Sequence, residues 1–302
     1  MDRNLSITLT SNKFPISMSS NRLGRLNSCN SNASVRNLKR QYNEQGYLWI
    51  KGLVNHNQVM SLRSLFFEKC KRFGLLEEGT LSEDRIFSAS EIPIEVMNKV
   101  RADFTTCTEY KALVNSKEIL NVLGELLEGS VCSLNRQIVR YKMPNDSRSD
   151  TGAHYDLTYL RCGTTNVITS WIPIGDIPVE MGGLMYLENS LDFGHKMEEQ
   201  FNSEIAALSD QERYAVRSKG MGLKGWITKD LSALSELTNS KWLVADYEAG
   251  DIVVHSPYII HASSTNKDLK QRIRLSTDIR YQRVDSEIDQ RWEKAWRPDD
   301  GL

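Results

Sequence analysis

His154 and Asp156 are separated by one residue, and in an extended chain that spacing projects both side chains to one face. An imidazole and a carboxylate that share a face can hold a metal. The chain has only five histidines, and two of the others, His255 and His261, fall in the downstream window Asp251 to His261, DIVVHSPYIIH. Either would complete a set of two histidines and one carboxylate, the facial triad that binds non-haem Fe(II) and leaves coordination positions open for a co-substrate and O2. On an ideal strand His255 and His261 share a face, so periodicity does not choose between them. Ser263 shares the face of His261, and Arg272 and Arg274 alternate with apolar residues in RIRLS, ending at Ser276. That alternation aims two guanidinium groups to one side. A buried guanidinium is costly unless it is paired, and a ligand carboxylate fits its fork best. His56 and His195 read as loop or helix-end residues.

The elements that would position these groups are spread over 302 residues, of which 40% are hydrophobic and 25% charged, a composition that can bury a sizeable core. With 38 basic against 39 acidic side chains the net charge is -1, which offers no electrostatic footprint for nucleic acid or an anionic membrane. The expected partner is a small molecule, with no nucleic acid and no membrane span, and a homodimer is left open. No apolar run reaches the roughly 18 to 20 residues that span a bilayer. The expected location is cytoplasmic, with a mitochondrial address as the alternative, because Arg3, Lys13, Arg22 and Arg25 accompany a single acid near the N-terminus. The five cysteines, Cys29, Cys70, Cys107, Cys132 and Cys162, are scattered and contain no C-x-x-C pair. They read as reduced thiols, not as a disulfide framework or a zinc site.

Residues 1 to 33 are rich in Ser and Asn and lack apolar periodicity, which predicts a disordered extension. One domain is expected over 34 to 302. Its first part, 34 to 129, is mainly helical: Val35, Leu38 and Tyr42 fall at helical spacing before Gly46, a strand follows at Tyr47 to Ile50, and a second helix runs from about Asn57 to Phe73. Asn115 to Glu118 supplies a capping box for a helix that Gly129 ends. Short strands dominate 130 to 285, including Val131 to Tyr141, an extended His154 to Leu160, Asn166 to Ile172, Leu184 to Leu187 and Arg272 to Tyr281. A helical insertion at 190 to 241 interrupts them and reads as a lid, and 286 to 302 form a tail. Gly220 to Gly225 formally matches G-x-G-x-x-G but lacks a preceding strand, so it reads as a hinge. The predicted fold class is mainly β with flanking helices around a double-stranded β-helix, a jelly roll of cupin-like form.

These elements together resemble the phytanoyl-CoA dioxygenase family of Fe(II)- and 2-oxoglutarate-dependent oxygenases, over about residues 34 to 285. The resemblance is carried by NEQGYLWIKG at Asn43 to Gly52, by His154-x-Asp156, by WIPIGD at Trp171 to Asp176, and by Gly250-Asp251 ahead of His261-Ala-Ser263, with Arg272 eleven residues after His261. It implies that His154, Asp156 and His261 ligate Fe(2+), that Arg272 and Ser263 hold the distal carboxylate of 2-oxoglutarate, that Trp171 lines the co-substrate pocket, and that Gln137 meets the other end. O2 is the oxidant, and succinate and CO2 are released. The family's Pro-Gly-Ser-His after the glycine turn is here Glu188-Asn189-Ser190, which implies a differently built lid. The carboxylate at Asp156 leaves no vacated ligand position for chloride, which favours oxygenation over halogenation. The implied reaction is oxidation of a small, largely apolar molecule in specialised metabolism, by default hydroxylation, with desaturation and rearrangement as the alternatives that the same ligands serve. The competing readings are a non-catalytic cupin-type metal or ligand binder and an acyl-CoA alpha-hydroxylase of lipid metabolism.

Overall fold

The computed structural model describes residues 8–81, 84–86, 93–219 and 225–297. Residues 8 to 33, expected to be disordered, instead lie as a strap across the body. Its strands are β1 (Thr10–Ser11), β2 (Phe14–Pro15), β3 (Leu23–Arg25) and β4 (Ser28–Asn30). Leu9 and Ile16 are buried, and β3 and β4 pair in parallel with strands of the two main sheets. Four-residue-spaced apolar groups are not needed for this order, because β1 and β2 pair with each other while β3 and β4 extend the edges of sheets built by later strands.

The helical part follows the sequence closely. Helix α1 (Val35–Gln45) is capped by the Ser34 hydroxyl and stopped by Gly46 in the left-handed region. Strand β5 (Tyr47–Lys51) comes next, then α2 (His56–Arg72), α3 (Ile94–Thr105), α4 (Thr108–Val114) and α5 (Lys117–Leu127). Ser116 caps α5 by accepting from the Ile119 amide, and Glu128, not Gly129, takes the left-handed C-terminal position.

The remaining strands are β6 (Val131–Ser133), β7 (Ile138–Lys142), β8 (Val167–Pro173), β9 (Leu184–Leu187), β10 (Trp242–Val244), β11 (Ile252–His255), β12 (His261–Ser263) and β13 (Arg274–Arg283). They form two facing sheets. The larger runs β4-β5-β11-β8-β13-β6, with β7 also on β13, and the smaller runs β12-β9-β10-β3. This is the expected double-stranded β-helix. The description "mainly β" is corrected, however, because helices hold more of the described residues than strands do. Short α6 (Leu157–Leu160) and the helices of the segment expected to be a lid, α7 (Leu191–Glu204), α8 (Asp210–Ser218) and α9 (Leu231–Thr238), add to α1–α5.

β13 divides the molecule. Leu275, Ile279 and Tyr281 face the helices, where they join Phe66, Val100, Phe104 and Leu123 in one core. Arg274, Ser276, Asp278, Arg280 and Gln282 alternate with them and are also buried. A strand with an apolar back and a charged front requires a polar interior between the sheets. The residues that meet that requirement form the site.

Candidate active site

The metal-capable residues do not sit on one regular strand. His154 makes an isolated antiparallel bridge with His261, in which each backbone N–H donates to the other's carbonyl, at 3.1 and 2.9 Å. The chain then leaves extended geometry, so the expected strand to Leu160 is replaced: Asp156 has helical dihedrals and opens α6. The window around His255 likewise splits. His255 ends β11 in the larger sheet and His261 begins β12 in the smaller one, so the two rings enter the interior from opposite walls.

Three of these groups converge. Single donor atoms of His154, Asp156 and His261 lie within 4.8 Å of one another, all buried. Both Nε2 atoms stand 3.7 Å from the same oxygen, Asp156 Oδ1. Each imidazole donates from Nδ1 to a backbone carbonyl, His154 to Gly152 at 2.9 Å and His261 to Ile259 at 3.1 Å. That bond fixes the tautomer and turns the Nε2 lone pair toward the common point. Burial first, with Arg140 and Arg280 adding, pulls His154 down to about 4, and burial pulls His261 well below its ordinary value, so both are neutral donors. For Asp156 burial acts upward, but the Arg280 charge and the His255 hydrogen bond hold it well below the carboxylate range. His255 sits beside the cluster, with Nε2 3.3 Å from Asp156 Oδ2 and Nδ1 2.9 Å from the Tyr186 hydroxyl. Thr169 donates to the same Oδ2, so that oxygen is held by protein and Oδ1 faces the histidines.

The cluster opens onto a cavity lined by Thr151, Trp171, Leu184, Ser263, Arg140, Arg274, Asp278 and Arg280. Trp171 and Ser263 stand on the wall of this cavity. Arg272 and Gln137 are not brought to this cavity. Regular pairing of the last strand begins only at Arg274; Arg272 bridges Ile86 outside the roll and gives its Nε and Nη2 to Asp268, at 2.9 and 2.6 Å. Gln137 precedes β7 and donates to the Leu134 carbonyl. Arg274 takes the inward position instead. It is 1% exposed, lies 5.3 Å over the Trp171 ring, and its Nε and Nη1 have no hydrogen-bond partner. Burial pulls its guanidinium down to about 10, the direction expected of a buried cation without a paired anion. Trp171 Nε1 and Ser276 Oγ are also buried without partners.

These observations fit Fe(II) and 2-oxoglutarate. Two neutral imidazoles and one carboxylate, closed by backbone bonds on one side and open to a cavity on the other, suit a non-haem iron ion. Orphaned donors at Arg274, Ser276 and Trp171 suit a dicarboxylate that reaches from that ion. Thr169, Arg140, Asp278 and Arg280 were not singled out from the sequence. The alternation that exposed Arg274 continues through Ser276, Asp278 and Arg280, so the last two were legible had it been followed further.

A double-stranded β-helix with this triad on its inner wall defines the non-haem iron, 2-oxoglutarate-dependent oxygenases. Residues 42–274 match the family described as phytanoyl-CoA dioxygenase, and the chain belongs to it. It is an oxidoreductase of that class, with iron and 2-oxoglutarate as cofactor and co-substrate. No curated protein sequence matches. Among solved structures, the chain is similar in fold to the non-haem alpha-ketoglutarate-dependent carbocyclase SnoK from nogalamycin biosynthesis (18% identity, 87% of this chain and 89% of that one, TM-score 0.54). It is also similar to the epimerase SnoN in complex with Fe3+, alpha-ketoglutarate and nogalamycin RO (17% identity, 84% and 85%, TM-score 0.53). The non-haem monooxygenase ThoJ shares the fold as well (13% identity, 83% and 79%, TM-score 0.52). Among the described residues no helix is long and apolar enough to cross a membrane.

Proposed function

We propose that this oxygenase hydroxylates an unactivated C–H bond of a small organic molecule in specialised metabolism. The observation that carries the reading is one cavity that joins a buried His-Asp-His cluster to a buried, unpartnered guanidinium. His154, Asp156 and His261 ligate iron. Arg274, in place of Arg272, receives the distal carboxylate of 2-oxoglutarate, with Ser263 and Trp171 on the walls beside it. When bound, iron and 2-oxoglutarate supply the oxidising power, coupling loss of CO2 and formation of succinate to oxidation of the substrate.

The chain's own contribution is positioning and exclusion of water. The Gly152 and Ile259 carbonyls orient the two imidazoles, Thr169 and His255 hold the outer oxygen of Asp156, and Trp171 keeps the Arg274 plane in place. The lid is tied to the metal loop at Tyr155, the residue between the two ligands. Its hydroxyl donates to Glu198 on α7 at 3.0 Å, and Arg161 grips the same carboxylate. Closure of the lid over the substrate is therefore felt next to the ligands. The biosynthetic roles named for SnoK and SnoN support specialised metabolism as the setting. The polar cavity wall favours a polar group beside the reacting carbon of the small, largely apolar molecule that the sequence suggested.

The test is anaerobic addition of Fe(II) and 2-oxoglutarate, which gives a weak visible charge-transfer band. A band in the wild type, its loss in His154→Ala, and substrate-stimulated succinate release are the expected results. No band and no succinate would refute the assignment.

A further inference from the structure

Arg280 is the second arginine that the cavity leaves incompletely used. It lies six residues beyond Arg274 on the same face of β13, is 4% exposed, and lines the cavity at its metal end. Its guanidinium is 5.0 Å over the Trp292 ring, which fixes the plane. Nη2 touches both oxygens of Asp156, at 3.2 and 3.3 Å. Nε and Nη1, on either side of that nitrogen, are buried and have no partner. Simple neutralisation of Asp156 would use one nitrogen of the fork and leave the other two buried donors unsatisfied, which is costly.

The charges around it lead to the same place. Three guanidinium groups, Arg140, Arg274 and Arg280, line the cavity against two carboxylates, Asp156 and Asp278. Asp278 is taken by Arg140. Asp156 is the one acid left near Arg280, and it is also the acid of the metal cluster. A divalent ion on that cluster shares the charge of Asp156, so Arg280 would face a second cation across a single carboxylate. In a buried site that arrangement calls for another anion.

We propose that Arg280 is a carboxylate-binding residue at the metal end of the cavity, distinct from Arg274 at the far end. This rests on the co-substrate reading above. Two carboxylates have the right chemistry: the inner carboxylate of 2-oxoglutarate and an acid group on the substrate. The strand presents two forks on one face, one for each end of the reacting assembly, and Trp171 and Trp292 back them in the same way.

The experiment compares wild type with Arg280→Met and Arg280→Lys, using the full chain loaded with Co(II), whose visible bands report its ligands. One arm titrates 2-oxoglutarate; the other titrates acetate and benzoate, with and without 2-oxoglutarate. If the inner carboxylate is the ligand, Arg280→Met weakens 2-oxoglutarate binding by about tenfold or more, and Lys restores part of it. If a substrate acid is the ligand, 2-oxoglutarate binding is unchanged and the spectral response to acetate or benzoate disappears in Arg280→Met. Wild-type responses to both ligands in a folded, Co(II)-binding Arg280→Met protein would overturn the proposal. A wild type that ignores 2-oxoglutarate would refute the co-substrate reading instead, and the monocarboxylate arm without 2-oxoglutarate then decides the role of Arg280 by itself.

Discussion

The two ends of the roll are built on different terms. At the end near Arg274 the chain ties itself together over long sequence separations. Lys142 and Asp150 form a fully buried pair at 2.9 Å, Lys142 also donates to the Ser264 carbonyl, and Thr265 and the Asn12 amide complete Asp150. The Ser11 hydroxyl of the strap donates to the Ser263 carbonyl. The lid end is held helix by helix. Glu198 with Tyr155 and Arg161 anchors α7, where a Cβ on Gly194 would sit 1.9 Å from the Tyr258 carbonyl, and the strap holds α9 through Ser232 and Ser235. On the proposed reading the first end meets a co-substrate that never changes, and one buried network locks it. The second then meets whatever is oxidised, and its anchors are separate for each helix.

That contrast can be tested in order of expected effect. His261→Ala should empty the metal site, reducing bound iron to background and succinate formation by about a thousandfold or more, as measured by metal analysis and turnover. Arg274→Met should keep the metal but raise the 2-oxoglutarate Kd by about a hundredfold, a loss of roughly 3 kcal/mol for a charge-assisted pair. Arg272→Met should change that Kd by less than about threefold, because its fork is already filled by Asp268. If Arg272→Met instead gave the large effect, the assignment of the locked end would be reversed. Lys142→Met should cost about 3 kcal/mol in urea unfolding, because it leaves Asp150 buried beside neutral partners. Glu198→Gln should cost about 1 kcal/mol and increase amide exchange within 191–204, while 2-oxoglutarate affinity stays put. An equal loss of co-substrate affinity would show that the two ends are not independent.

Much of this was readable in the residues. The short-range signals, helical spacing, caps and strand alternation, gave α1, α2, α5 and the inward face of β13, and His154-x-Asp156 pointed to iron only together with His261 and the family resemblance. Two kinds of feature were not legible, for different reasons. The strap at 8–33 has no periodicity of its own because its strands are two or three residues long, β1 and β2 pairing with each other and β4 and β3 each joining the edge of a sheet, β3 beside the distant β10. The choice of arginine depended on where regular pairing begins: a loop held by Asp268 uses up Arg272 before the strand starts, and an even spacing between 272 and 274 cannot reveal that. His255 and His261 presented the same difficulty, since a turn between them, not a strand, carries the chain from one sheet to the other.

β13 has a consequence for how variants of this enzyme are interpreted. Its back is part of the helical core and its front is the cavity floor, with the two roles one residue apart. A conservative change at Leu275 or Ile279, buried against α-helices and remote from any ligand, moves the backbone from which Arg274, Asp278 and Arg280 project. Such a change would register in an assay as altered co-substrate affinity, although no atom that touches the co-substrate had been replaced. In this fold, core packing acts as a calibration of the active site, and natural variation among the apolar residues of that strand is a place to look for tuned catalysis.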